Sequence, residues 1–296
     1  MTASVLTQGL LPLAIALIMF GMGLSLTMTD FTRLFRWPKA MVLGLIGQIL
    51  LLPLMALLIS VALDLPPAMA IGLMILSACP GGTTSNVISQ LSRANLALSV
   101  TLTGLSTLIC LLSTPLIIQW SLNHFSSDNP VAFSLLTTTV GLSALTLLPL
   151  ALGMWVNRHW VVSAQKIEPI FRRFSAIFMV LMIAGILWQE RQMLSQSFSD
   201  MFLACVLLNF TSVACAVLLS RLGGLSKQDA LTLCIEIGIQ NATLAILIAM
   251  TFLNRPDLAV AAGVYGVTMY LGAGFIVLWA KWPNKQLSAV SIKPRP

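Results

Sequence analysis

Apolar runs of about twenty residues recur from one end of the chain to the other, separated by short clusters of charge, proline and glycine. The runs are apolar on all sides, so each predicts a helix that crosses a membrane, since a helix lying on its surface needs one strongly polar face. Dividing the chain at these clusters predicts nine spans, at about residues 8–28, 38–62, 67–92, 95–120, 131–157, 168–189, 199–221, 227–253 and 257–280. The predicted fold class is an all-α polytopic membrane protein with about nine transmembrane helices.

Composition supports this interpretation and excludes a soluble protein. Of the 296 residues, 58% are hydrophobic and only 8% are charged, whereas about a quarter of the residues of a soluble domain are charged. The first apolar stretch, Leu10–Leu26, is longer than a signal-peptide core and is expected to be a retained helix. The five cysteines all fall in apolar segments and are odd in number, which argues against a disulfide framework or a zinc cluster.

The basic residues indicate how the helices are oriented. Across the alternating loops, 14 of the 16 Lys and Arg residues fall on one side, and only Arg191 and Arg255 fall on the other. Loops rich in Lys and Arg stay in the cytoplasm. We therefore expect a multi-pass protein of the cell (inner) membrane with its N-terminus outside and its C-terminus, including the tail 281–296, inside. The high pI is then a topology signal, and nucleic-acid binding is not expected.

One carboxylate lies deep within an apolar segment. Every other Asp or Glu falls in a loop or near the end of a span, which leaves Glu236 alone. An ionised carboxylate at that depth costs about 2.5 kcal/mol or more without a partner, and no Lys, Arg or His lies within a span to pair with it. The partner is then a bound cation or a proton. A protonated glutamate that only links helices is the alternative without function.

Two spans contain a polar interruption near their middle. In the third span, Cys79-Pro80-Gly81-Gly82 removes a backbone donor and weakens the helix, and polar residues follow at 83–86. In the eighth span, the interruption is Glu236-Ile237-Gly238-Ile239-Gln240-Asn241. Irregular backbone at membrane depth persists where it lines a cavity or is buried in protein. The two breaks therefore predict one central site.

The positions of the breaks predict an inverted repeat. They lie five spans apart, and an odd number of spans reverses the orientation across the membrane. Repeat two would cover about residues 131–280, and repeat one about 8–120 without its first helix, in one transporter domain. A short similarity agrees with this division, because Arg93-Ala94-Asn95-Leu96-Ala97 follows the first break and Arg255-Pro256-Asp257-Leu258-Ala259 follows the second.

The breaks supply groups for both an anion and a cation. Each begins a half-helix whose free amides favour an anionic group. Ser99 and Thr103 are four residues apart and share one helix face. A single Ser or Thr in a helix often bonds only its own backbone. The set of oxygen-bearing side chains nevertheless suits a hard cation such as sodium, and it comprises Gln48, Ser85, Asn86, Ser99, Thr103, Glu236 and Gln240.

The segments Cys79–Asn86, Arg93–Thr103 and Glu236–Asn241 resemble the bile acid:sodium symporter family, and the similarity extends over nearly the whole chain. The resemblance implies a core domain with two crossing, unwound helices, a panel domain that moves against it, and two sodium ions. By this resemblance the first sodium site is Ser85, Asn86, Ser99, Thr103 and Glu236. The second is Gln48, Glu236 and Gln240 with the carbonyls of Ile237 and Ile239. Asn241 and the amides of Thr83 and Thr84 would face the substrate.

Two departures from the family shape the functional prediction. By the resemblance, we expect the first helix of ten-helix members to be missing, and we expect Met269 and Tyr270 to align where bile-acid-handling relatives carry a polar pair. The resemblance thus implies sodium-coupled import of a small organic anion, a 2-oxo or 2-hydroxy acid such as pantoate or pyruvate in preference to a bile acid. The bilayer and this anion are the expected partners, with no obligate protein partner.

Three other functions fit the sequence less well. Proton coupling through Glu236 would need a second titratable group for a relay, and a channel would conduct far above transport turnover. An intramembrane enzyme is disfavoured because the sequence contains no HExxH helix, no nucleophile elbow and no pair of membrane carboxylates.

Overall fold

The computed structural model describes residues 9, 11–32, 37–126 and 133–281, and their regular structure is helical apart from one isolated bridge. In chain order the helices are α1 (Leu11–Ser25), α2 (Met28–Thr32), α3 (Pro38–Ala62), α4 (Pro67–Ala78), α5 (Thr83–Leu91), α6 (Leu96–Phe125), α7 (Leu135–His159), α8 (Val161–Gln189), α9 (Arg191–Leu222), α10 (Lys227–Gly238), α11 (Ala242–Phe252) and α12 (Val260–Lys281). A π turn, Ile46–Leu51, lies within α3, α11 ends in a π turn, and a 3-10 turn, Pro256–Ala259, leads into α12. The predicted all-helical class is confirmed.

Length and composition identify six of these described helical stretches as candidate membrane spans. They are Pro38–Ala62, Leu96–Phe125, Leu135–His159, Val161–Gln189, Ser199–Leu222 and Pro256–Leu278. The other apolar helices, α1, α4 and α11, are shorter. The 15 residues of α1 reach only about 22 Å, against a hydrocarbon core of about 30 Å. A polytopic protein is confirmed, whereas the count of nine spans stays a prediction.

Two helices begin earlier than the sequence predicted. The sixth span was expected to begin at 168, but α8 begins at Val161. The seventh span was expected to begin at 199, which agrees with the candidate span Ser199–Leu222, although the helix α9 itself begins at Arg191. The added segments contain neither Gly nor Pro, so nothing ends the helix there. Charges such as Lys166 mark the end of a membrane span, yet they do not stop a helix. Arg33, Arg36, Asp128 and residues 282–296 lie outside the described residues.

Both predicted breaks are present, and they meet. Between α4 and α5 the backbone is extended at Cys79 and Gly82, and between α10 and α11 it is extended at Ile239. Gly81 and Gln240 form an antiparallel bridge, and the Asn241 amide donates to the Pro80 carbonyl at 3.0 Å. Each break thus satisfies part of the other's exposed backbone, as membrane depth requires.

Helices α1, α7 and α8 form one packed group, which we call the three-helix group. Helix α1 contacts α7 and α8 more extensively than it contacts any other helix, while α7 also packs on α6 and α8 also packs on α12. Two glycines allow a close approach: a Cβ added at Gly23 would collide with the backbone of α7 at Leu150 and Gly153, and one added at Gly153 would collide with α1. In the rest of the protein, α9 packs on α10 and α12, while α4 packs on α6 and α3.

Candidate functional site

Glu236 lies on α10 just before the second break and is fully buried. Its carboxylate is surrounded by three hydroxyl groups. Those of Ser85 and Ser99 lie 2.6 and 2.5 Å from Oε1, and that of Thr103 lies 2.8 Å from Oε2. Neither ion pair found in the described part of the chain involves Glu236. The deepest carboxylate is therefore solvated by hydroxyl groups.

Local structure explains why these groups converge. Ser85 lies in the first turn of α5, directly after the first break, while Ser99 and Thr103 lie one turn apart on α6. The Oδ1 atom of Asn86 lies 2.9 Å from the Ser99 hydroxyl. All five residues predicted for the first sodium site are thus brought together in the fold.

The hydroxyl groups of Ser85, Ser99 and Thr103 lie close to more hydrogen-bond acceptors than they have hydrogens to donate. Besides Glu236, Ser85 lies 2.8 Å from the Gly82 carbonyl, Ser99 lies 2.9 Å from the Asn86 amide oxygen, and Thr103 lies 3.0 Å from the Ser99 carbonyl. A hydroxyl group carries one hydrogen and can satisfy one such contact at a time. The cluster is therefore rich in oxygen and poor in donors, which is the chemistry of a cation site.

A second set of polar side chains lies around the backbone carbonyl of Glu236. Gln48, on the π turn of α3, places Nε2 3.4 Å from the Glu236 carbonyl, and Gln240 donates from Nε2 to the Ile237 carbonyl at 2.9 Å. The Oε1 atoms of both glutamines are buried and accept no hydrogen bond within the described chain. A buried acceptor without a partner costs about 1–3 kcal/mol. These two oxygens are available to a cation, as the prediction for the second site requires.

Gly81 separates the two sets. A Cβ added there would lie 2.9 Å from Oε2 of Glu236 and 3.2 Å from Nε2 of Gln48, so a larger residue would push into the site. The sequence indicated Gly81 only as a helix breaker. Ser89, whose hydroxyl donates to Ser99 at 3.1 Å, was missed altogether. Its position four residues after Ser85 on α5 was the available signal.

The residues predicted to face the substrate lie at the starts of α5 and α11. Asn241 is 7% exposed, and its Oδ1 accepts a hydrogen bond from the Leu244 amide at 3.1 Å. The interpretation of Asn241 as a substrate contact alone was incomplete, because its oxygen caps α11. Thr84 is half-buried and interacts with the Tyr270 hydroxyl. The Thr83 side chain lies outside the described residues.

A cavity of about 240 Å³ leads toward this site between α1, α5, α6 and α8. It reaches Asn86, and it is also lined by Arg172 and Glu168, whose charged groups lie 3.7 Å apart on α8. The cavity approaches the first cluster from the side of the membrane on which most basic residues were predicted to lie.

Among the described residues, no group of three or more His, Cys, Asp or Glu side chains could hold a metal ion. The cysteines are free, four of them buried and Cys215 partly exposed.

Comparison with known proteins adds independent evidence. The model of the Sodium Bile acid symporter family matches residues 12–197. The chain is 30% identical over 270 residues to the probable sodium/metabolite cotransporter BASS1, chloroplastic, of Arabidopsis thaliana, covering 91% of the chain and 66% of that protein. It is 29% identical over 273 residues to the uncharacterized sodium-dependent transporter YocS of Bacillus subtilis, covering 92% and 83%. It is 28% identical over 260 residues to the human ileal sodium/bile acid cotransporter, covering 87% and 73%. The chain therefore spans about two thirds of the chloroplast relative's length.

Proposed function

Because the chain belongs to the sodium bile acid symporter family, as its motifs predicted, we propose that it imports a small organic monoanion by sodium-coupled symport. The family is one of transporters and not of enzymes. The matched relatives from a plant, a bacterium and an animal all carry sodium in their names, while their named solutes differ. Sodium coupling is the feature that these names share.

The observation that carries the proposal is the shortage of donors around Glu236. Three hydroxyl groups lie within hydrogen-bonding distance of two acceptors each. Protonation of Glu236 would add one hydrogen to this cluster, but it would leave Oε1 of Gln48 and of Gln240 without a partner. A sodium ion at each cluster would use all of these oxygens. The geometry therefore favours sodium over a proton.

We assign one ion to each cluster. The first would be held by Ser85, Asn86, Ser99, Thr103 and Glu236, and the second by Gln48, Glu236, Gln240 and the carbonyls of Ile237 and Ile239. For two ions per monoanion, a tenfold sodium gradient supplies about 1.4 kcal/mol per ion, and the net charge gains about 2.3 kcal/mol at 100 mV. The sum of about 5 kcal/mol supports several thousandfold accumulation.

The substrate site would lie where α5 and α11 begin. The first amides of α5, at Thr83 and Thr84, have no carbonyl one turn earlier to bond. Nδ2 of Asn241 can donate to a carboxylate or to an adjacent oxo or hydroxy group. The Tyr270 side chain interacts with Thr84, at the start of α5. Our proposal for the substrate is a small 2-oxo or 2-hydroxy acid, such as pantoate or pyruvate, in preference to a bile acid.

Packing supports the division into a panel and a core. The panel would be the three-helix group, and the core would contain α3–α6 and α9–α12 with both breaks. The two breaks occupy corresponding places in the inverted repeats proposed for about residues 8–120 and 131–280. The cavity lined by Arg172 and Asn86 lies between these two bodies, so the structure would represent an inward-facing state, with the basic loops in the cytoplasm and the N-terminus outside.

The proposal is tested by uptake into proteoliposomes. Purified protein should accumulate a labelled 2-oxo acid or pantoate when sodium is outside, with taurocholate as a poor substrate. Glu236→Gln should abolish sodium-coupled uptake, because a neutral amide leaves both clusters short of charge. The matched control is Glu190→Gln, since Glu190 lies between α8 and α9, far along the chain from both breaks. Uptake driven by a proton gradient without sodium, or normal sodium affinity in Glu236→Gln, would overturn the assignment.

A further inference from the structure

The carbonyl of Gly238, the last residue of α10, is held by two side chains from other helices. Nδ2 of Asn209, on α9, donates to it at 2.9 Å, and the hydroxyl group of Tyr265, on α12, donates to it at 3.0 Å. The same Asn209 nitrogen lies 3.4 Å from the Tyr265 oxygen. Both side chains are fully or almost fully buried. The second break is therefore anchored from two directions.

These contacts fix a peptide plane in the middle of the proposed second sodium site. The peptide that joins Gly238 to Ile239 is held at both of its polar groups. Its carbonyl, from Gly238, accepts from Asn209 and Tyr265, and its N–H, from Ile239, donates to the Ile235 carbonyl at 2.9 Å. Further along, the Asn241 amide donates to Pro80. The carbonyls of Ile237 and Ile239 lie in the two neighbouring peptide planes, so holding the Gly238 peptide leaves only φ and ψ of Gly238 and Ile239 to change their directions relative to it.

We infer that Asn209 and Tyr265 are positioning residues for the second sodium site. They hold the Gly238 carbonyl toward α9 and α12, and this leaves for the ion the Ile239 carbonyl and the second lone pair of the Ile237 carbonyl, which also accepts from Gln240. This inference rests on the proposed function, because it assumes that an ion binds at Gln48 and Gln240. Neither side chain is a ligand itself.

The first break is anchored in a similar way. The carbonyl of Ala78, the last residue of α4, accepts a hydrogen bond of 2.5 Å from the hydroxyl group of Thr114 on α6. Helix α6 follows the first broken helix in the chain, just as α12, which carries Tyr265, follows the second. In both places the last helical carbonyl before the break is held by a side chain of the next long helix. The repetition supports a positioning role over incidental packing.

The surroundings of Asn209 show that its amide is seated tightly. A Cβ added at Gly272 of α12 would collide with Oδ1 of Asn209. That oxygen is buried and has no hydrogen-bond partner in the described chain. Burial of an unpaired oxygen is unfavourable, so no hydrogen bond of Oδ1 accounts for the position of the Asn209 side chain. Its Nδ2 group, which points to the break, makes the hydrogen bonds.

The test compares sodium binding to purified Tyr265→Phe and Asn209→Leu with the wild type, without substrate, by titration calorimetry and sodium-dependent thermal stabilisation. Each single variant keeps one donor to Gly238, so we expect a several-fold rise in the half-saturating sodium concentration. The double variant should show a rise on the order of tenfold or more, as for other residues that orient metal ligands. Thr268→Val is the matched control, because Thr268 is a buried hydroxyl on α12 whose contact is with its own helix backbone.

Each outcome decides the inference. A rise in the sodium requirement of Tyr265→Phe, with Thr268→Val unchanged, supports it. Lower thermal stability in Tyr265→Phe with wild-type sodium affinity would reduce both residues to structural packing and overturn it. If the double variant does not fold, Tyr265→Phe alone decides, since it removes a single oxygen. Failure of the proposed function would give a different result. In that case the wild type and Gln48→Ala would have the same sodium affinity, or neither protein would bind sodium.

Discussion

Three hydroxyl groups share the fully buried carboxylate of Glu236, and their positions show what a residue pattern can predict. Glu236 was recognisable from the sequence as the one carboxylate deep within an apolar segment, and the four-residue spacing of Ser99 and Thr103 placed both on the face that reaches it. The convergence of Ser85 with them followed from the family resemblance, because spacing within one helix does not say which helices meet.

Removal of one hydroxyl group from the first cluster should weaken sodium binding without unfolding the protein. Ser99→Ala and Thr103→Ala each delete a contact to Glu236, so we expect each to raise the sodium concentration for half-maximal uptake several-fold. Thr107→Ala is the control, since Thr107 is equally buried one turn further along α6 and bonds the Thr103 carbonyl. Uptake curves with unchanged sodium dependence in both variants would show that the first site lies elsewhere.

Asn241 requires a substitution that separates its two roles. Asn241→Ala would remove both the cap of α11 and the proposed substrate donor, whereas Asn241→Ser keeps an oxygen for the Leu244 amide and loses only Nδ2. We expect Asn241→Ser to weaken substrate binding by about 1–3 kcal/mol, the cost of one buried hydrogen bond, with sodium binding retained. Substrate competition and sodium titration on the same preparation measure this. Joint loss of both affinities would place Asn241 in the ion shell.

At the scale of the helices, α6 and α10 are locked together where they begin. The side-chain Nδ2 of Asn95 donates to the Asp229 carboxylate at 2.8 Å, and the backbone N–H of Asn95 donates to the Thr232 hydroxyl at 3.0 Å. Since α6 carries Ser99 and α10 carries Glu236, this lock sets the register between the hydroxyl groups and the carboxylate. The sequence predicted both helices, but a cap that serves a second helix is a tertiary contact and has no local signal.

Asn95→Ser should loosen this register while it preserves the cap of α6. Serine can still accept from the Leu98 amide, as Asn95 does at 3.1 Å, but it cannot reach Asp229 with an amide nitrogen. We expect a loss of about 1 kcal/mol of stability and a few-fold rise in the half-saturating sodium concentration. Ser134→Gly, at the exposed cap of α7, is the matched control. If thermal unfolding and sodium titration change equally in both variants, the lock does not position the site.

The bounds of α8 and α9 show why some elements were harder to predict. Hydropathy locates the part of a helix that suits a bilayer, whereas helix ends depend on caps and breakers. Where charged residues continue a helix beyond the apolar stretch, as at Lys166 and Arg191, the helix begins several residues before its apolar part. The breaks at Pro80 and Gly238 were predictable because proline, glycine and polar residues coincide there.

For the whole molecule, the orientation in the membrane is the prediction with the widest consequences. In a cysteine-free background, a cysteine placed near Asp128 should react with an impermeant thiol reagent added outside. One placed at Gln165, beside Lys166 on the exposed start of α8, should react only from inside. Labelling intact and permeabilised cells measures the difference. The reverse pattern would reject the orientation or the count of nine spans, and with them the inward-facing assignment of the cavity at Arg172.

Glu236 belongs to both clusters, to one through its carboxylate and to the other through its backbone carbonyl. That carbonyl oxygen lies 3.4 Å from Nε2 of Gln48 and 3.5 Å from Nε2 of Gln240. Under the proposed function, any shift of α10 on binding at one cluster is felt at the other, and linkage makes that influence equal in both directions. A variant that changes the sodium affinity of one cluster would then change the affinity of the other cluster as well, even where none of its own ligands is altered.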